Sequence, residues 1–310
     1  MNINMDTPIV RIENLSHRYS VQWAVRDINL EIRQHGIYGL LGSNGAGKST
    51  IMNIMCGVLK QTEGDIYIKG INTRIDPVEA KCHIGFLPQQ PPLHPDLTVE
   101  EYLDYSARLR YIPHKEIPAA ITEVVEKCGI SHFRRRLIRN LSGGYQQRVG
   151  IAQAIIHNPD FIILDEPTNG LDPNQIVEIR NLIKQIAQER TVILSTHILP
   201  EVQATCEYIY MVEKGKMVFS GTVDEFDNYI LPTTIRVTLL AHPTVEELTM
   251  IPGLVAAQHL GEMDYRLQFA DARNMVDEII ETCGIHNWRL SQVYMEKSSL
   301  DVVFAELSKK

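Results

Sequence analysis

Residues 42–50 read Gly42, Ser43, Asn44, Gly45, Ala46, Gly47, Lys48, Ser49 and Thr50. The first and last glycines, the lysine and the serine after it match every fixed position of the phosphate-binding loop pattern G-x-x-x-x-G-K-[ST]. An apolar run at residues 37–41 enters this loop, and a helix-like run at 51–55 leaves it. Because strand, loop and helix occur in this order, the sequence predicts a nucleotide-phosphate site and not an ordinary glycine-rich turn.

Each part of the loop has a predicted role at the phosphates. Three glycines let the backbone curl tightly, so that successive N–H groups point at phosphate oxygens. The helix that follows presents its positive N-terminal end to the same anion. We expect Lys48 to reach the β- and γ-phosphates, and the Ser49 hydroxyl to complete the shell of a Mg²⁺ ion.

Composition favours a globular enzyme, since 44% of the 310 residues are hydrophobic and 22% are charged. A net charge of −8 argues against a nucleic-acid partner, which would require a basic surface. The five cysteines form no Cys-x-x-Cys pair, which disfavours a zinc module and favours a reducing cytosol. With no signal-peptide pattern and no window of eighteen apolar residues, we expect a soluble chain that does not span a bilayer by itself.

Strand-like and helical segments in the first 230 residues predict an antiparallel sheet, a core that carries the phosphate loop, and a helical insertion. Alternating stretches at 9–12 and 25–32 predict an antiparallel sheet with one solvated face, and residues 64–70 predict another short strand bounded by glycines. An apolar run at 84–87 leads through Gln89 into a loop with several prolines. A capping box that begins at Thr98 then predicts a helix, and residues from about 90 to 155 predict a mostly helical insertion.

Two later stretches carry candidate chemistry. Ser142, Gly143 and Gly144 stand at the start of a predicted helix, which is a geometry that can hold a phosphate. A continuous apolar strand at 161–164 ends in Asp165 and Glu166, at the edge where open α/β sheets bind ligands. We expect Asp165 to hold Mg²⁺ directly or through water, and Glu166 to polarise an attacking water as general base.

The next helix and strand add two further candidates. Asp172 is predicted to cap a helix that has Pro173 at its first position. A buried strand at 191–195 ends at His197. Among the eleven histidines, His197 combines a strand-tip position with a carboxylate strand shortly upstream.

Taken together, these motifs resemble the nucleotide-binding subunit of an ATP-binding cassette (ABC) transporter over roughly residues 8–225. The ordered elements are Tyr19, the loop at 42–50, Gln89, Leu141-Ser142-Gly143-Gly144, Asp165-Glu166, Gly170-Leu171-Asp172 and His197. A phosphate loop occurs in many nucleoside triphosphatases, whereas Leu-Ser-Gly-Gly before a carboxylate strand is characteristic of this family.

The resemblance implies ATP and Mg²⁺ as cofactors and a head-to-tail dimer. Each ATP would lie between one subunit's phosphate loop and the partner's Leu-Ser-Gly-Gly sequence. Tyr19 would stack on adenine, His197 would contact the γ-phosphate, and Asp172 would act across the interface. Gln89 would sense both Mg²⁺ and a membrane partner.

Residues from about 232 onward contain none of these motifs. Their pattern predicts a β-α-β-β-α-β order with a last helix from residue 299, which favours a small ferredoxin-like sandwich. We therefore predict an ATP-binding domain at residues 1–230 and an accessory α+β domain at 231–310. The appended domain resembles that of bacterial ABC-2-type export ATPases, and the whole chain is similar to their gliding-motility-associated branch.

The expected fold is α/β, a phosphate-loop NTPase of ABC type with a RecA-like core, an antiparallel β subdomain and a helical insertion. The expected function is ATP hydrolysis that powers export through a membrane permease on a separate chain. The subunit would be cytoplasmic, peripheral on the inner face of the cell membrane, and part of a homodimer or pseudo-symmetric dimer. Candidate permease contacts, of which two are expected in the insertion's own core, are Leu93, Leu97, Tyr102 and Tyr105.

Two alternatives compete with this reading. A soluble ABC ATPase of translation or repair would carry two cassettes, a coiled-coil arm or a zinc motif, and this chain has none of them. A non-hydrolysing regulatory module would have lost Lys48, Glu166 or His197, and all three are present.

Overall fold

The chain divides into two compact units, Met1–Val223 and Asp224–Lys310. A computed structural model describes residues 7–229, 233–270 and 274–296, together with Leu307. In these residues no helix has both the length and the apolar character needed to cross a membrane.

The first unit contains two sheets. Its strands are β1 (Val10–Tyr19), β2 (Gln22–Ile32), β3 (Gly36–Leu41), β4 (Glu63–Ile68), β5 (Ile71–Asn72), β6 (Ile84–Leu87), β7 (Phe161–Asp165), β8 (Thr191–Thr196), β9 (Tyr208–Glu213) and β10 (Lys216–Thr222). Four of them form an antiparallel sheet in the order β2-β1-β4-β5. The other six form a sheet in the order β10-β9-β3-β8-β7-β6, which is parallel except for β10. The predicted core and antiparallel subdomain are therefore confirmed.

The helices of this unit follow the predicted plan. They are α1 (Lys48–Met55), α2 (Pro77–Cys82), α3 (Val99–Leu109), α4 (Ile117–Lys127), α5 (Gly143–Ile155), α6 (Pro173–Ala187) and α7 (Leu199–Thr205), and α8 (Val223–Asp227) follows at the division between the units. Helices α3, α4 and α5 form the helical insertion. Helices α2, α7 and α8 were not predicted, because stretches of five to seven residues are too short to show a clear helical period.

Parallel pairing of the central strands brings their carboxyl ends to one edge of the sheet. Every residue of β7 and of β8 is buried, as expected for parallel strands that are covered on both faces. These strands lie side by side with β3 in the sheet. Because parallel strands end at the same edge, the phosphate loop after β3 lies beside the residues that follow β7 and β8.

The helical insertion begins with the predicted capping box. The Thr98 backbone N–H donates to the Glu101 carboxylate at 2.8 Å, and the Glu101 N–H donates to the Thr98 hydroxyl at 3.3 Å. Tyr102, one of the four candidate permease contacts, is only 3% exposed and donates to the Pro92 carbonyl at 3.3 Å. Tyr102 is therefore part of the insertion's core and cannot contact a permease. Tyr105 is 46% exposed.

The second unit has the predicted β-α-β-β-α-β order. Its elements are β11 (Thr234–Leu239), α9 (Val245–Leu248), β12 (Leu254–Gly261), β13 (Asp264–Phe269), α10 (Met275–Ile285) and β14 (Leu290–Glu296). The strands form one antiparallel sheet in the order β12-β13-β11-β14, as in a ferredoxin-like sandwich. Alternate residues of β11 are buried in its core. The predicted helix from residue 299 lies outside the described residues, apart from Leu307.

Candidate active site

A cavity of about 560 Å³ opens at the phosphate loop. It is lined by Tyr19, Ala24, Asn44, Gly45, Gly47, Lys48, Ser49, Thr50, Gln89, Glu166, Asn169 and His197. These residues come from β1, β2, the phosphate loop and the loops that follow β6, β7 and β8. The structure therefore brings together the predicted adenine contact, the loop, Gln89, Glu166 and His197.

Backbone geometry explains the glycines of the loop. Gly45 and Gly47 have φ angles of 82° and 112°, in a region that side chains disfavour. A Cβ on Gly42 would lie 2.1 Å from the Val212 carbonyl oxygen, so only glycine fits between the loop and β9. Gly47 precedes α1 and makes no side-chain cap, which leaves the first N–H groups of the helix available to an anion.

Lys48 is already directed into the loop. Its Nζ donates to the carbonyls of Gly42 at 2.8 Å and Ser43 at 3.0 Å. Burial lowers the pKa of this ammonium, whereas the carboxylates of Glu166 and Asp165 act to raise it. The lysine is thus held as a buried cation by carbonyl oxygens that phosphate oxygens can replace.

Glu213, at the end of β9, anchors the loop from the other side, and the sequence contained no signal for this contact. The Ser43 hydroxyl donates to the two carboxylate oxygens of Glu213 at 3.0 and 2.8 Å. Two residues later, the Gly215 N–H donates to the Ala46 carbonyl at 2.9 Å. The turn between β9 and β10 therefore holds the loop through one side chain and one backbone group.

The two carboxylates after β7 have different surroundings. Asp165 is buried and accepts a hydrogen bond from the Ser195 hydroxyl. Glu166 has a φ of 47°, and its N–H donates to the same hydroxyl at 2.9 Å. A glutamate in the left-handed region is uncommon, and such strain is concentrated at functional sites. The backbone turn directs Glu166 towards the cavity while Asp165 stays in the strand.

Three side chains contact the Glu166 carboxylate. Gln89 Nε2 donates to Oε2 at 2.8 Å, and Asn169 Nδ2 donates to the same oxygen at 3.1 Å. His197 Nδ1 lies 3.0 Å from Oε1. Gln89 and His197 were predicted from the sequence, whereas Asn169 and Ser195 were missed. Asn169 lies three residues after Glu166, in a tight turn closed by its N–H and the Glu166 carbonyl. This spacing is the one sequence signal that could have identified Asn169 as a site residue.

The donor set at this edge fits Mg²⁺. Ser49 offers a hydroxyl, Asp165 a carboxylate and Gln89 an amide oxygen. Across residues 7–229, 233–270 and 274–296, no three His, Cys, Asp or Glu side chains cluster so as to hold a metal by themselves. Mg²⁺ usually binds through one or two protein groups, several waters and the phosphates of the substrate, so a sparse set of oxygen donors suits it.

The Leu-Ser-Gly-Gly residues lie apart from the phosphate cavity. Ser142 and Gly143 are exposed at the start of α5, and Ser142 makes no side-chain cap there. Gly144 and Asp172 line a second cavity of about 220 Å³. Asp172 caps α6, as predicted, by accepting the Gln175 N–H at 3.0 Å. One chain alone therefore does not bring Ser142, Gly143, Gly144 or Asp172 to its own phosphate loop.

The parallel sheet, the phosphate loop at its edge and the carboxylate-histidine contact beside it define a nucleoside triphosphatase of the phosphate-loop class. The ABC transporter family model matches residues 25–169. The bacitracin transport ATP-binding protein BcrA of Bacillus licheniformis is 39% identical over 212 residues, which are 68% of this chain and 68% of that protein. The chain belongs to the ABC transporter ATP-binding proteins.

Two further likenesses extend this result. The linearmycin resistance ATP-binding protein LnrL of Bacillus subtilis (strain 168) is 28% identical over 305 residues, covering 97% of this chain and 98% of that protein. A dimeric structure of a post-hydrolysis state of the ATP-binding cassette MJ0796, bound to ADP and Pi, is 29% identical with a TM-score of 0.63. That likeness covers 69% of this chain and 98% of the other. The protein is thus an ATP-binding subunit of a transporter and an ATPase, and the gliding-motility branch stays a prediction.

Proposed function

We propose that the chain hydrolyses Mg²⁺-ATP to power export through a membrane permease on a separate chain. Its domains would be those predicted, with the ATPase in residues 1–230 and an accessory domain in 231–310. Relatives named for bacitracin transport and linearmycin resistance support the export direction. The subunit would lie in the cytoplasm, peripheral on the inner face of the membrane, where a permease and ATP are both accessible. A soluble role in translation or repair is not favoured.

The observation that carries the proposal is the environment of Glu166. Its Oε2 accepts two hydrogen bonds, from Gln89 and Asn169, whereas His197 is the one hydrogen-bond partner of Oε1 among the residues that the structure describes. A carboxylate oxygen can accept two hydrogen bonds, so Oε1 has a lone pair left for a water molecule. Glu166 can therefore accept a proton from water at Oε1 while the three side chains keep its orientation.

The remaining groups bind and orient the triphosphate. Lys48 would exchange its carbonyl contacts for the β- and γ-phosphate oxygens, and the N–H groups of α1 would hold the same anion. Mg²⁺, when bound, would neutralise charge that develops on the phosphates, and Ser49, Asp165 and Gln89 would hold it. His197, beside Glu166, would contact the γ-phosphate. Tyr19, which is 54% exposed and lines the cavity, would stack on adenine.

The separate position of the Leu-Ser-Gly-Gly residues supports a dimer as the active form. Ser142 and Gly143 are exposed on α5 and available to a ligand bound by another subunit. In a head-to-tail pair, ATP held at one phosphate loop would meet Ser142, Gly143 and Gly144 of the second subunit. A negative ligand would then be shared by two helix N-termini, which explains why ATP would favour association.

A surface for the permease would lie on the helical insertion and the adjoining groove. The groove has a volume of about 380 Å³, and its apolar lining includes Val58, Val78, Phe86 and Leu109. Phe86 lies in β6, three residues before Gln89. A permease segment in this groove would therefore contact the strand that leads directly to the Glu166 site. Tyr105, Leu93 and Leu97 remain candidate permease contacts on the helical insertion.

Glu166→Gln tests this function, because it keeps the shape of the side chain and removes the base. Equilibrium titration should show ATP binding close to that of the parent chain. Turnover should fall by about 10²–10⁴-fold, the usual contribution of a positioned base. Light scattering with ATP should show a larger dimer fraction, since the bridging ligand is no longer consumed.

Glu189→Gln is the matched control, since Glu189 is an exposed glutamate near the end of α6 and does not line the cavity. It should hydrolyse ATP like the parent. Near-parental turnover by Glu166→Gln would show that Glu166 is not the base and would contradict the proposed mechanism.

A further inference from the structure

A buried carboxylate outside the phosphate cavity joins the two loops that carry Glu166 and His197. Glu201 lies in α7 and is only 6% exposed. The Thr168 hydroxyl lies 2.8 Å from each of its carboxylate oxygens, and the Thr196 hydroxyl donates to Oε2 at 3.0 Å. Arg180 of α6 lies 3.8 Å from Oε1. Glu201 does not line the cavity, so it reaches the site only through other residues.

The two threonines are close in sequence to the groups of the site. Thr168 follows Glu166 by two residues, inside the turn in which the Asn169 N–H donates to the Glu166 carbonyl at 3.1 Å. Thr196 immediately precedes His197, and its hydroxyl also accepts the Ile198 N–H at 3.0 Å. Each hydroxyl therefore fixes the backbone beside one member of the Glu166–His197 pair.

The free-energy cost of burying the Glu201 carboxylate indicates that this residue fixes the geometry of its neighbours. A buried carboxylate loses its hydration, and its ion pair with arginine recovers little of that free energy at 3.8 Å. A well-packed apolar side chain would often stabilise the fold as well or better. Hydrogen bonds, in contrast to apolar contacts, fix direction as well as distance. One carboxylate that accepts from both loops can set their relative position.

We propose that Glu201 is a positioning residue for ATP hydrolysis, which holds Glu166 and His197 in one relative geometry through Thr168 and Thr196. It makes no contact with the nucleotide cavity and exchanges no proton. The inference rests on the proposed role of Glu166 as general base. It predicts that Glu201 affects the rate of hydrolysis and not the affinity for ATP, because the hydrogen-bond and ion-pair partners of its carboxylate in the described part of the chain are Thr168, Thr196 and Arg180, and none of them belongs to the phosphate loop.

The main variant is Glu201→Gln, which keeps the size of the side chain and removes its charge. Turnover per folded molecule should fall by about 10- to 100-fold, the usual cost of losing an outer partner that orients a reactive group. The ATP dissociation constant from equilibrium titration should stay within about twofold of the parent value, since the groups that bind the triphosphate are unchanged.

Asp160→Asn is the matched control. Asp160 precedes β7, at the end opposite Glu166, and pairs with Lys69 and His83, both at 2.7 Å. Asp160→Asn should lower the free energy of unfolding and leave turnover per folded molecule unchanged. If Asp160→Asn lowers turnover as much as Glu201→Gln does, losing any partly buried carboxylate is enough to slow hydrolysis. The positioning role of Glu201 is then wrong.

Epistasis separates positioning from general destabilisation. In a Glu166→Gln background, Glu201→Gln should lower turnover by less than about twofold, because the base it positions is already absent. A full additional decrease in that background would overturn the proposal, and so would parental turnover in the single variant. If Glu166→Gln itself has parental turnover, the proposed function fails first, and the two failures are thereby distinguished.

Thr168→Val and Thr196→Val test the same contacts if Glu201→Gln does not fold. Each removes one hydroxyl and keeps the branched shape, and each should lower turnover without weakening ATP binding. Thr168→Ser and Thr196→Ser restore a hydroxyl and should restore turnover. Parental rates in both valine variants would overturn the inference.

Discussion

His157 should make the stability of the protein sensitive to mild acid. The histidine follows α5, and its Nε2 lies 3.0 Å from the Ile84 carbonyl oxygen, so Nε2 carries the hydrogen. Within the described chain, the buried Nδ1 has no hydrogen-bond partner. Burial, followed by the positive charge of Arg110, lowers the pKa of His157 from 6.5 to about 4. A second proton would place a charge on a nitrogen with neither solvent nor an acceptor.

The sign and size of the effect follow from the two pKa values. The unfolded side chain binds a proton below its ordinary pKa of 6.5, whereas the folded one does so only near pH 4. The unfolded state therefore binds more protons between these values, and the free energy of unfolding falls as the pH falls through that window. Since one pKa unit corresponds to about 1.4 kcal/mol, lowering the pKa from 6.5 to about 4 limits the loss from this group to about 3.5 kcal/mol.

Urea unfolding at pH 7, 6, 5 and 4.5 measures this loss. The parent chain should lose stability in this range, while His157→Gln, which keeps a donor for Ile84 and cannot titrate, should show a shallower dependence on pH. Carboxylates such as Asp160, whose pKa is also lowered, contribute to both curves and cancel in the comparison. His114→Gln changes an exposed histidine and should behave like the parent. Parallel curves for parent and His157→Gln would refute the assignment of the acid sensitivity to His157.

Two further predictions concern the loop and the insertion. Gly42→Ala should abolish detectable ATP binding in an equilibrium titration, because its Cβ would lie 2.1 Å from the Val212 carbonyl oxygen. Gly284→Ala, in α10 and with no neighbour within 4 Å of the new Cβ, is the control that should still bind. ATP binding by Gly42→Ala would show that the loop can shift. Thr98→Ala should lower the free energy of unfolding by about 1 kcal/mol, the typical cost of losing an N-cap. Thr98→Ser keeps the hydroxyl and should change the free energy of unfolding little. Equal unfolding midpoints for the parent and Thr98→Ala would contradict this account of the capping box.

Local patterns were sufficient for the parts of the fold that depend on short segments. The apolar run before Asp165 predicted a buried strand, and the box at Thr98 predicted a helix start, because both signals lie within a few neighbouring residues. The loop at 42–50 predicted the phosphate site for the same reason. In these cases the backbone preference, the burial pattern and the chemistry of one short segment all predict the same structure.

The contacts that were missed join segments far apart in the chain. Ser195 bonds to Asp165 across neighbouring strands, and Glu201 accepts from Thr168 across 33 residues. Glu213 bonds to Ser43 across 170 residues. The sequence does not show which distant residue such a side chain contacts until the strand order is known. Tyr102 was ambiguous for a similar reason, since its burial depends on where the Pro92 loop folds back.

The turn between β9 and β10 connects strand β2 to the phosphate loop. Gly215 accepts the Arg26 N–H of β2 at 2.8 Å and donates to Ala46 in the phosphate loop at 2.9 Å. A Cβ on Gly215 would lie 2.6 Å from the Ala24 carbonyl oxygen, so the turn and β2 are in direct contact. The spacing between Ala24 in β2 and the phosphate loop is therefore held by contacts of the protein itself. Under the proposed function, a nucleotide whose base stacks on Tyr19 but whose phosphate chain is shorter would leave part of the loop without a partner.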